Sequence, residues 1–276
     1  MCVRIIPRQI RSFRFRLLQN TKMAMYIFDM KRFLNQIVDI GQIVIKEIRK
    51  VIVRIKRQEK QDSGPYWQSF SYKGVSGETV AAVLNNLNYP EELTDTEGNH
   101  ARRIRWECSC MQTICGACAM IINGKPALAC DTFVDAKEDG VLTLEPLSKF
   151  PVVSDLIVDR SCIQDYLKKA EIYLGNFKKS DSKEYAHQYS VAKCLKCGLC
   201  LEVCPNFVGG GDFFGAIAAN EIYLMMSQSE DRKKQLKGAY KKHFAKGCSK
   251  SLACQNVCPM HLETLSSIGK LNRIIW

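Results

Sequence analysis

Cys194-Leu195-Lys196-Cys197-Gly198-Leu199-Cys200-Leu201-Glu202-Val203-Cys204-Pro205 is the stretch from which the rest of this 276-residue chain can be read. Its spacing, C-x2-C-x2-C-x3-C-P, is that of an iron–sulfur ligand run in which three thiolates grip one cubane cluster. The fourth, turned away by the proline, serves a neighbouring cluster. Such a run demands a partner. Cys248, Cys254 and Cys258-Pro259 supply it in the same frame: with the two Cys-Pro ends aligned, Cys248 falls on Cys194, Ser251 on Cys197 and Cys254 on Cys200. The pair is an internal repeat with one thiolate missing. Crossover of the Cys-Pro cysteines assigns Cys258 to the set of Cys194, Cys197 and Cys200, and Cys204 to the set of Cys248 and Cys254.

Upstream, Cys110, Cys115 and Cys118 have the C-x4-C-x2-C spacing of a plant-type two-iron cluster, with Cys130 as a distant fourth ligand. A short loop wraps three thiolates round the cluster. The Asn123-Gly124 pair, favoured in tight hairpins, sends the chain out and back so that Cys130 returns near Cys118. Gly116, lacking a Cβ, is expected to let the backbone approach the inorganic sulfurs. Cys108 competes as a ligand but would stretch the loop, and is read as a bystander. Zinc is the rival occupant of any four cysteines, yet x4-x2 is not the paired spacing of zinc knuckles.

The 14 cysteines lie in tight groups within a chain long enough to bury its own core, which reads as metal ligation rather than a disulfide framework. The formal charge of +12 points at first to nucleic acid. Mapped out, it is local: Met1–Arg57 carries 14 Lys and Arg against 3 acids, and the remainder 26 against 25. No basic patch with interleaved aromatics marks the rest, so nucleic acid is not an expected partner. No run of about 18 apolar residues predicts a membrane span.

Met1–Asp29 is Arg-rich and nearly free of acids. A cleaved presequence, an amphipathic surface helix, and translation from a start upstream of Met23, Met25 or Met30 all produce such a segment; the last, or plain disorder, is preferred. Phe33, Ile37, Ile40, Val44 and Ile48 then recur at helical spacing. From Val51 the period drops to two, with Val51, Val53 and Ile55 against Arg54 and Lys56, predicting a strand. A second follows Gly64-Pro65, with Tyr66, Phe70 and Tyr72 on one face. A helix capped by Thr79 buries Val80, Val83, Leu84 and Leu87. The alternating Ile104 and Trp106, strands at Ala119–Asn123 and Lys125–Cys130, and a strand at Val141–Leu144 complete a β-grasp. Pro146–Pro151 reads as a linker. Beyond it the spacing is helical: Leu167, Ala170 and Leu174; Phe214, Ile217, Ala218, Ile222 and Met225; Leu262, Leu265, Ile268, Leu271 and Ile275. The predicted fold class is α+β: an N-terminal β-grasp domain of the plant-type 2Fe-2S ferredoxin kind, followed by an all-α domain of the bacterial-ferredoxin kind. The expected boundaries are residues 1–50 for a basic extension, partly helical or disordered, 51–150 for the β-grasp and 151–276 for the helical domain.

From about Val51 to the C-terminus this cysteine layout resembles the iron–sulfur subunit of succinate dehydrogenase and fumarate reductase. The resemblance implies an electron relay with no substrate-active site of its own. It implies a 2Fe-2S cluster on Cys110, Cys115, Cys118 and Cys130, a 4Fe-4S cluster on Cys194, Cys197, Cys200 and Cys258, and a 3Fe-4S cluster on Cys204, Cys248 and Cys254. The implied partners are an FAD-containing flavoprotein subunit and a membrane-anchor subunit with quinone, the chain lying peripherally at the cytoplasmic face. Cys2, Cys108 and Cys162 are left as free thiols.

Two departures stand out. Many family members have glycine third after the first cluster cysteine, where this chain has Thr113. Ubiquinone-type members place a tryptophan after the Cys-Pro and a histidine after the next cysteine, where Phe207 and Ser249 stand here, which weakens the ubiquinone reading and favours a menaquinone-linked or otherwise divergent fumarate reductase. His100, His187, His243 and His261 fall in no cysteine frame and are read as surface residues, His243 being the one worth testing. No G-x-G-x-x-G follows a strand, so no flavin is expected on this chain. The rival readings are the same relay serving another flavoprotein, such as a glycerol-3-phosphate, heterodisulfide-linked or unsaturated-acid enzyme, or a zinc-binding structural or nucleic-acid-binding protein.

Overall fold

Strand β1, Ile48–Arg57, shows the predicted alternation, with Val51, Val53 and Ile55 buried and Arg54 exposed. The computed structural model describes residues 48–276 apart from residues 76, 135–139, 180–181 and 276. Met1–Asp29 and the helical stripe from Phe33 to Val44 lie outside the described residues. Ile48, assigned to that stripe by its spacing, instead opens β1.

β1 pairs antiparallel with β2, Tyr66–Val75, placing Val53 opposite Phe70, and parallel with a later strand, Val141–Glu145, placing Val53 opposite Leu142. A parallel neighbour needs a crossover. It contains helix α1, Val80–Asn88, whose buried face is Val80, Ala81, Val83, Leu84 and Leu87; the Thr79 hydroxyl accepts from the Ala82 N–H at 3.2 Å and caps its N-terminus. Two short strands, β3 Leu93–Thr94 and β4 His100–Ala101, form a separate ribbon. The hairpin β5 Ala119–Ile122 and β6 Lys125–Leu128 turns at Asn123 (φ 49°) and Gly124 (φ 76°), the two positive φ values that a type I′ turn requires. With β7, Val141–Glu145, the sheet runs β2-β1-β7-β5-β6. This is the expected β-grasp.

Ile104 and Trp106 do not lie in a strand. Asn88 exchanges two hydrogen bonds of 2.8 Å with the Ile104 backbone, and Arg57 Nη2 donates to the carbonyls of Arg102 (3.0 Å) and Arg103 (3.1 Å). Side chains satisfy the groups that a neighbouring strand would otherwise satisfy. Arg57 is fully buried beside the fully buried Asp155, with Nε 3.0 Å from Oδ1. Asp155 also accepts from Arg102 Nη2 (2.8 Å) and from the backbone N–H groups of Gln58 (3.1 Å) and Arg105 (2.9 Å).

The expected linker Pro146–Pro151 is held rather than free: Leu147 and Phe150 are buried, and the backbone N–H groups of Ser148 (3.0 Å) and Lys149 (3.1 Å) donate to the Glu202 carboxylate. Past it the chain is helical, with one departure from an all-α reading, the hairpin of β8 Val152–Ser154 and β9 Ile157–Val158. The helices are α2 Ser161–Lys169, α3 Ser182–Ala192, α4 Leu199–Glu202, α5 Gly215–Gln228, α6 Lys233–Tyr240 with a π turn at Lys241–Ala245, α7 Ala253–Asn256 and α8 Thr264–Ile275. Leu174 lies beyond the end of α2 and is exposed. The centre is α5, covered by α3, α6 and α8, with Ala218, Ala219 and Ile222 out of water. Among the described residues no helix is long and apolar enough to cross a membrane.

Candidate cluster sites

The first site is a loop whose backbone turns inward. Met111 (φ 56°), Thr113 (φ 60°) and Gly116 (φ 72°) lie in the left-handed region, an alternation that points successive N–H groups into one concavity, the geometry of an anion nest. Cys110 Sγ accepts from the N–H groups of Gln112, Ile114 and Cys115, each at 3.3 Å. Those of Gln112 and Ile114 do most to hold its thiol down at about 6. The Thr113 N–H donates to Cys130 Sγ at 3.4 Å, and the Ala117 N–H to Cys115 Sγ at 3.5 Å. The hairpin brings Cys130 Sγ to 3.4 Å from Cys118 Sγ, where burial and then the neighbouring Cys130 push the Cys118 thiol up to about 12. All four predicted cysteines share this corner. Thr113 explains why glycine suits its position: a β-branched residue at φ 60° is strained.

Gly116 does something other than the sequence suggests. A Cβ there would stand 2.7 Å from Cys197 Cβ and 3.1 Å from Leu195 Cβ, so the close approach it permits is to the second cysteine loop. Arg160 fastens that approach. Its Nη1 donates to the carbonyls of Gly116 (2.9 Å) and Cys197 (3.2 Å), while Nη2 donates to that of Ala117 (3.2 Å) and pairs with Glu107. Nothing in the cysteine spacing marks this arginine; the hydrogen bonds could be seen only once the two loops were placed together.

The repeat is visible in the backbone. Lys196 (φ 53°) and Gly198 (φ 90°) precede α4, as Lys250 (φ 60°) and Leu252 (φ 63°) precede α7, at equivalent positions. Each short helix has its C-cap immediately before a Cys-Pro, at Val203 and Val257. Set against each other, the two copies make two cavities. Cys194, Cys197, Cys200 and Cys258 line one, with Cys254, Asn220 and Thr264. Cys204, Cys248 and Cys254 line the other, with Ser251, Phe213 and Phe244. The Cys-Pro cysteines thus fall in the cavity of the opposite run, and Ser251 stands in the cavity with three thiols. Burial raises the Cys194 thiol to about 11 and that of Cys200 well above its ordinary value, the neighbouring thiols adding to the latter. Unliganded thiols in these positions stay protonated, whereas cluster iron stabilises the thiolate form. Among the described residues no group of three or more His, Cys, Asp or Glu is gathered tightly enough for a single metal ion.

Cys108 is exposed and Cys162 partly buried, its thiol raised by burial; Cys2 lies outside the described residues. Two of the four histidines depart from the surface reading: His187 and His243 are buried. His243 stacks on Phe214 with ring centroids 4.0 Å apart and bonds the Asp212 carbonyl through Nδ1 at 3.0 Å; His187 lies between Glu263 (3.2 Å) and Ser267 (3.1 Å). Both neighbours are distant in sequence, so local spacing carried no sign of either. The cavity of about 960 Å³ rimmed by Lys178, Lys233, Lys237 and Arg273 contains none of the predicted ligands.

A β-grasp with a two-iron ligand loop, joined to helices that set two cysteine runs against each other, defines a multi-cluster iron–sulfur electron carrier. Residues 52–165 match the family described as 2Fe-2S iron-sulfur cluster binding domain, and residues 177–262 match the 4Fe-4S dicluster domain. The succinate dehydrogenase iron-sulfur subunit of Bacillus subtilis is 30% identical, over 83% of this chain and 92% of that protein. The fumarate reductase iron-sulfur subunit of Wolinella succinogenes is likewise 30% identical, over 82% of this chain and 97% of that protein. The solved Mycobacterium smegmatis Sdh1 complex in the apo form has a chain of the same fold, with a TM-score of 0.68 at 21% identity, covering 83% of this chain and 96% of that one. The chain belongs to the family of succinate dehydrogenase and fumarate reductase iron–sulfur subunits. It is an electron-relay subunit of that oxidoreductase class, with 2Fe-2S and 4Fe-4S clusters and the 3Fe-4S cluster that the family carries.

Proposed function

We propose that this chain passes electrons between an FAD-containing flavoprotein subunit, which interconverts succinate and fumarate, and a quinone of the menaquinone type at a membrane-anchor subunit. It would lie peripherally at the cytoplasmic face of the membrane. Cys110, Cys115, Cys118 and Cys130 would hold the 2Fe-2S cluster, Cys194, Cys197, Cys200 and Cys258 the 4Fe-4S cluster, and Cys204, Cys248 and Cys254 the 3Fe-4S cluster. One observation carries the reading: Cys258 shares a cavity with the first cysteine run and Cys204 with the second, the crossover expected of paired runs.

Bound clusters supply one-electron redox chemistry. The protein residues hold them and set the local field. The inward N–H groups around Cys110 and Cys130 offset negative charge at the first site. Arg160 and Gly116 keep the first and second loops in contact. Phe213, Phe244 and Ile268 give the third site an apolar wall. Phe207 is buried against Phe150 and Tyr166 and so offers no ring to a quinone, while Val208 and Leu252 are exposed beside Cys204 and Cys254 in the chain.

Anaerobic purification of the chain with its native partners tests this. The expected result is a brown complex containing flavin and 9 irons per chain, on the 2Fe-2S, 4Fe-4S and 3Fe-4S cluster types, with succinate-reducible paramagnetic resonance signals. A colourless, zinc-loaded, folded preparation would overturn the cluster reading. Reduction by glycerol 3-phosphate but not by succinate would overturn the assigned flavoprotein.

A further inference from the structure

Asn220 lies on α5, is 3% exposed, and lines the cavity of Cys194, Cys197, Cys200 and Cys258. Its Nδ2 donates to Thr264 Oγ1 at 3.0 Å, and its Oδ1 is buried with no partner among the described residues. A buried acceptor without a donor is unfavourable, and more so when it shares a cavity with groups that become thiolates on binding iron. The carboxamide has nearly the same shape when turned over, so its orientation is decided by its hydrogen bonds. Thr264 accommodates either orientation, so the unpartnered Oδ1 decides. The Thr264 hydroxyl can donate as well as accept, so in the reversed orientation it donates to Oδ1, and both Nδ2 hydrogens are released toward the sulfur-lined space.

We propose that Asn220, anchored in this orientation by Thr264, is a positioning residue for the second cluster: it donates N–H to cluster or cysteinyl sulfur and raises the potential of that centre. The inference rests on reading Cys194, Cys197, Cys200 and Cys258 as the four-iron ligand set. A donor aimed at sulfur stabilises the reduced, more negative state more than the oxidised one, and hydrogen bonds to the sulfurs are among the determinants of cluster potential. Thr264 is itself buried, at the start of α8, so the pair is shut off from water that could substitute for either partner.

The test is a redox titration of the purified holo-complex followed by paramagnetic resonance, with the two-iron and three-iron centres of the same sample as internal references. Asn220→Leu should make reduction of the four-iron centre about tenfold less favourable, a fall of about 59 mV for one electron. Asn220→Asp, of the same shape but without N–H donors, should lower it further. Thr264→Val should lower it less, because the amide remains but is no longer held. The two references should not move. An unchanged or higher four-iron potential in Asn220→Leu with full cluster content would overturn the proposal. So would loss of the four-iron centre in both Asn220 variants, which would make the residue structural. Absence of a four-iron signal in the wild-type complex would overturn the ligand assignment instead.

Discussion

Gly116→Ala should loosen the contact between the first and second cysteine loops. The new methyl would lie 2.7 Å from Cys197 Cβ, 3.1 Å from Leu195 Cβ and 3.2 Å from Cys197 Cα, against an ordinary carbon–carbon separation of roughly 3.5–4.0 Å. Relief needs the loops to part by about 1 Å. Two of the three obstructing atoms are Cβ carbons and the third is backbone, so rotamer changes cannot absorb the clash. Overpacking of this kind costs roughly 1–3 kcal/mol, and alanine at φ +72° adds about 1–2 kcal/mol. The expected loss is therefore roughly 2–5 kcal/mol. Parting the loops also strains the Arg160 bonds to the Gly116 and Cys197 carbonyls, 2.9 and 3.2 Å in the native protein. The assays are denaturant unfolding of the holo-complex and paramagnetic resonance of the fully reduced sample, in which the magnetic coupling between the two-iron and four-iron centres should weaken. A loss under about 0.5 kcal/mol with unchanged coupling would refute the reasoning, since surface substitutions away from such features fall within that range.

Cys258→Ala should damage the four-iron centre first, although Cys258 belongs to the later run; an intact four-iron signal in that variant would contradict the assignment. Ser251→Cys should complete the repeat in the third cavity, convert a three-iron to a four-iron centre, lower its potential and slow quinone-linked turnover while leaving succinate binding unchanged; iron analysis with resonance of the air-oxidised protein checks it. Asp155→Ala should leave Arg57 charged and buried without its partner, a loss of about 3–5 kcal/mol measurable by denaturant unfolding, whereas Glu59→Ala, which removes only the 3.7 Å pair at the exposed edge of Arg102, should cost less than about 1 kcal/mol.

The cysteine spacing and the apolar periods determined most of the fold and the gathering of the cysteines at one loop and two cavities. C-x4-C-x2-C and the cysteines within each Cys-Pro run lie a few residues apart on one loop, where chain connectivity keeps them close, so those groups are legible in the sequence; the passage of Cys258 to the cavity of Cys194 and of Cys204 to that of Cys248 was legible only through the internal repeat. Period-two alternation in Val51–Ile55 and the Asn123-Gly124 turn depend on local backbone preference and on which face avoids water, and both are likewise written in the chain. Only the tertiary structure could decide what arises between segments far apart in sequence. Gly116 is explained by Cys197, Arg57 by Asp155, and Asn220 by Thr264 on a helix 44 residues later. The burial of His187 and His243 and the non-strand path of Ile104 also depend on partners from other elements. A hydrogen bond or a steric contact is set by distance in space, and spacing along the chain reports that distance only for neighbours; where the fold brings remote residues to within 3 Å, the sequence holds both partners but no mark that they meet.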